Sequence, residues 1–93
     1  MQIFYLEPKD GDVSHPRWQA TSLKQGCWVR ATNEEAARGI AQMLTVKLVS
    51  LVPGEPILYS PWLDGSLTDC RPDNPSIEIP EGVVVTAGGN TLS

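Results

Sequence analysis

Gly26-Cys27-Trp28-Val29-Arg30-Ala31-Thr32-Asn33-Glu34-Glu35-Ala36-Ala37, residues 26–37, is the stretch that decides the fold class of this chain. Cys27 to Ala31 reads as a strand. Thr32 then stands as the expected N-cap of a helix, with Glu35 three residues on at capping-box spacing, where each side chain reaches a backbone N–H left open by the first turn. Glu34 and Glu35 also sit at the positive end of the helix dipole. Ala36, Ala37, Ile40, Met43 and Leu44 recur at helical spacing and predict one apolar stripe. Glu34 and Arg38 are expected as an i,i+4 pair on the wet side, worth about 0.2–0.5 kcal/mol. Gly39 costs about 1 kcal/mol relative to alanine inside a helix, and a closely packed strand is the expected reason for it.

Working outward from this unit, Gln2 to Leu6 predicts a first strand, ended by the turn chemistry of Pro8-Lys9-Asp10-Gly11. Val13 to Gln25 shows no period and contains Pro16, so it reads as a loop with a helical turn near Trp18 to Lys24. Thr45 to Val52 is open to two readings: Leu44, Leu48 and Leu51 prolong the helical stripe, whereas Thr45, Val46 and Val49 favour a strand. The strand is preferred. Ile57 to Ser60 predicts a short strand, Trp62 to Pro75 a loop, and Ile77–Ile79 with Val83–Thr86 a closing hairpin around Pro80-Glu81-Gly82. Residues 88–93 read as a frayed tail. The expected architecture is a single α+β domain over residues 1–93, in the order β-β-α-β-β-β. Its small, mainly antiparallel sheet carries the capped helix on one face.

A chain of 93 residues rarely divides into two cores. Hydrophobic residues make up 41% and charged residues 19%, a globular balance. Seven Lys+Arg against eleven Asp+Glu give a net charge of -4, the wrong sign for a surface that must displace counterions from phosphates. Met1 to Glu7 lacks the basic segment and long apolar run of a secretory signal, and no stretch is apolar enough to span a bilayer. The expected address is the cytoplasm, with Cys27 and Cys70 as free thiols.

Candidate sites are few. Cys27, Cys70 and His15 are far apart in sequence and show none of the paired spacing of metal ligands, so neither metal nor cofactor is implied. Cys70 beside Arg71 is the better reactive thiol, but Asp69 and Asp73 offset that cation. Asp12, Ser14 and His15 adjoin in sequence, which says little because triads are assembled from distant segments. Trp18 and Trp62 lie in irregular segments. Each is either a lid over a thin core or part of a binding surface with Arg17 and Tyr59, since Trp and Arg are frequent anchors of interfaces.

Cys27-Trp28-Val29-Arg30-Ala31 with Glu34-Glu35-Ala36-Ala37-Arg38, then Ser60-Pro61-Trp62 and Gly82-Val83-Val84-Val85, resembles a set of short uncharacterised bacterial proteins. The resemblance implies a compact bacterial cytosolic domain and brings no activity with it. The leading expectation is a non-enzymatic module that binds another protein or a second copy of itself, through Arg17, Trp18, Tyr59 and Trp62. The alternatives are a thiol-dependent or metal-assisted enzyme built on Cys70, His15 and Asp73, and, behind it, RNA binding through Arg30, Arg38 and Lys47.

Overall fold

Strict alternation organises the first strand. In β1 (Gln2–Pro8), Phe4, Leu6 and Pro8 are buried while Ile3, Tyr5 and Glu7 are only half-buried, the pattern of a sheet with one packed face. The computed structural model describes residues 1–15, 18, 21–45 and 61–92. Along these run β2 (Cys27–Ala31), α1 (Glu34–Thr45), β3 (Thr68–Pro72), β4 (Val84–Thr86) and β5 (Thr91–Leu92), with 3₁₀ turns at Lys9–Gly11 and Pro61–Leu63. The strands form one antiparallel sheet in the spatial order β3-β1-β2-β4-β5. One helix packs against it, so the chain has a small α+β fold. Among the described residues, no helix is long and apolar enough to cross a membrane.

The helix starts one residue later than its sequence suggests. Asn33, not Thr32, is the N-cap: its Oδ1 accepts the Ala36 N–H at 2.8 Å, and its carbonyl accepts the Ala37 N–H at 3.0 Å. Asn competes at least as well as Thr for this position, and the shift moves Glu35 out of the box position. The buried stripe is Ala37-Ala41-Thr45, with Ala36, Ile40 and Leu44 packed partly against the core. Met43, expected in that stripe, is 64% exposed. Small side chains every fourth residue bring the helix backbone close to the sheet. Gly39 needs no close neighbour either, because a Cβ there would meet nothing within 4 Å among the described residues.

Two hydrogen-bond networks fasten the helix. Trp62 Nε1 donates to Thr21 Oγ1 at 3.1 Å, which lies 2.8 Å from Thr45 Oγ1, and that hydroxyl donates to the Ala41 carbonyl at 2.6 Å. The Ser22 N–H meets the Thr45 carbonyl at 2.8 Å, so an open helix-end acceptor is satisfied by a loop. At the other end Arg38 donates to Glu34 at 3.2 Å as expected, but also to the Trp62 and Thr68 carbonyls. Its side chain is only 13% exposed, so Arg38 is a tie between helix and sheet and not a wet-side residue.

Three further expectations need correction. β3 lies within a segment that the sequence presents as a loop. The closing hairpin pairs Val84–Thr86 with Thr91–Leu92, not with Ile77–Ile79, so residues read as a frayed tail supply its second arm. Its turn is held by Thr86, whose N–H donates to the Asn90 carbonyl at 2.7 Å, and by Gly89 at a positive φ of 90°. Thr45, finally, ends a helix and does not open a strand. The rest of the Thr45–Val52 question and the expected strand at Ile57–Ser60 lie outside the described residues.

Candidate interaction surface

Alternation in β1 and β2 places Ile3, Tyr5, Glu7, Trp28 and Arg30 on the sheet face away from the helix. Register then builds a row. Tyr5 pairs with Trp28 on one side and with Arg71 on the other, so Trp28, Tyr5 and Arg71 cross three strands side by side. The Tyr5 and Trp28 rings lie 5.1 Å apart at 49°, and the Arg71 guanidinium stands 5.1 Å above the Tyr5 ring. Carboxylates fix both ends: Glu7 accepts from Arg71 at 2.8 Å, and Asp73 accepts from Trp28 Nε1 at 2.8 Å. The Arg71 pKa is raised chiefly by the hydrogen bond from its guanidinium to Glu7. Burial, followed by the nearby Glu7 charge, holds the Tyr5 phenol above its ordinary value.

Gly26 lets Tyr5 lie flat along the sheet. A Cβ at Gly26 would fall 2.6 Å from Tyr5 Cζ, so the phenol occupies the space that any other residue would fill. One corner of the face is covered: Arg30 Nε donates to the Ile79 carbonyl at 2.6 Å, and Glu81 bridges to Arg30. Ile79 and Val85 are buried there, outside the cluster beneath the helix. The Trp28–Tyr5–Arg71 row stays open to solvent, with two half-buried rings and an exposed arginine.

Two of the residues that the sequence nominates for binding, Trp18 and Trp62, lie elsewhere. Trp18 and Trp62 are 1% and 0% exposed and pack edge to face at 5.3 Å. They close the thin core beneath the helix, the lid role, and offer no ring surface to a partner. Trp18 Nε1 is buried without a hydrogen-bond acceptor among the described residues. Arg17 and Tyr59 lie outside the described residues. For the RNA reading, Arg30 belongs to the face opposite the helix and Arg38 is engaged by three acceptors, so those two do not share a surface; Lys47 lies outside the described residues.

Cys70 and His15 are not brought together. Cys70 pairs with Leu6 in the sheet, and burial pushes its thiol up to about 11 despite the Arg38 charge. Cys27 is the other neighbour of Leu6, and burial pushes it up to about 12. Two strand spacings, about 9–10 Å, separate the two cysteines, too far for a disulfide. His15 instead lines an open cavity of about 300 Å³ with Lys9, Asp10, Asp12, Ser14, Ser66 and Leu67. Asp12 there accepts the Ser14 N–H at 2.9 Å; hydrogen bonding from the Ser14 hydroxyl, and then from that N–H, holds its carboxyl below the ordinary value. Among the described residues, no group of three or more His, Cys, Asp or Glu is arranged to hold a metal ion.

No protein-family model, no curated protein and no solved structure matches the chain. Function is therefore argued from the residues themselves.

Sequence reasoning missed the row for a definite reason. Alternation alone places Tyr5 and Trp28 on one face, but Arg71 joins them only if Thr68–Pro72 is a strand. Its Asp-Cys-Arg-Pro composition gives no such signal.

Proposed function

We propose that the chain is a non-enzymatic protein-interaction module of the cytoplasm, and that it docks through the helix-free face of its sheet. The Trp28–Tyr5–Arg71 row carries this reading. Tyr, Trp and Arg are the residue types that dominate binding energy at interfaces. Here each is held in one orientation by a carboxylate or a ring, so little side-chain freedom remains to be lost on docking. The two free thiols, one buried and one half-buried and held apart by β1, suit a reducing compartment.

The test compares the wild-type chain with Arg71→Glu as bait in native lysate. A specific protein should be enriched by the wild type and lost at least tenfold with the variant, while both baits keep the same circular dichroism. Equal recovery by the two baits would remove this face as the docking surface.

A further inference from the structure

We draw no further inference here: the strongest candidate, the open cavity of about 300 Å³ beside the 3₁₀ turn at Lys9–Gly11, is walled by exposed polar side chains that include Asp10 and Asp12, and no second observation at this acidic cluster points to a ligand.

Discussion

At Gly26 a single methyl group would collide with the Tyr5 ring. Gly26→Ala is expected to cost about 1–3 kcal/mol through overpacking, and to displace Tyr5 from Trp28, which a chemical melt and the Trp28 contribution to fluorescence would both register. Gly39 is the opposite case. Its Cβ position is open among the described residues, so Gly39→Ala should stabilise the fold by up to about 1 kcal/mol, measured as a higher denaturation midpoint at unchanged m-value. The sequence marks both residues as glycine. Only the neighbours show that one is a packing requirement and the other a site for improvement.

At the scale of the element, the helix is defined by a cap, a stripe and two ties. Asn33→Ala should cost about 1 kcal/mol because it removes the acceptor for the Ala36 N–H. Thr32→Ala, which leaves that bond intact, should stay within about 0.5 kcal/mol. Equal losses at both positions would show that the cap is shared. Helix existence and position are legible in the sequence to within a residue, because acidic first-turn residues and apolar spacing are local signals. The outward turn of Met43 is not local: Ala37, Ala41 and Thr45 set the face that meets the sheet, and the Thr21–Trp62 network fixes its rotation.

Across the whole molecule, burial of the thiols makes stability depend on alkaline pH. Both cysteines are raised above the ordinary 9.0, Cys70 to about 11 and Cys27 to about 12. The unfolded chain therefore releases these protons first, and the folded form loses relative stability as pH rises above 9 through 11 and 12. Denaturation midpoints should be flat in this respect below pH 9 and fall above it. Cys27→Ala with Cys70→Ser, compared against its own neutral-pH value, should fall less. An identical slope in the double variant would mean that other groups carry the effect. The same burial predicts slow alkylation of both thiols at neutral pH, slower than a model peptide.

The sequence by itself determined the class of the fold, the first two strands and the existence of the helix that follows them, to within a residue at each end, since period and turn residues act over a few positions. Only the tertiary structure decided that Thr68–Pro72 is a strand, that Thr91–Leu92 closes the sheet, that Trp18 and Trp62 face inward and that Arg71 joins Tyr5 and Trp28. Strand pairing is a contact between distant segments. A polar segment such as Asp69-Cys70-Arg71 becomes a strand because β1 offers it an open edge of backbone hydrogen bonds, and nothing in its own side chains encodes that edge.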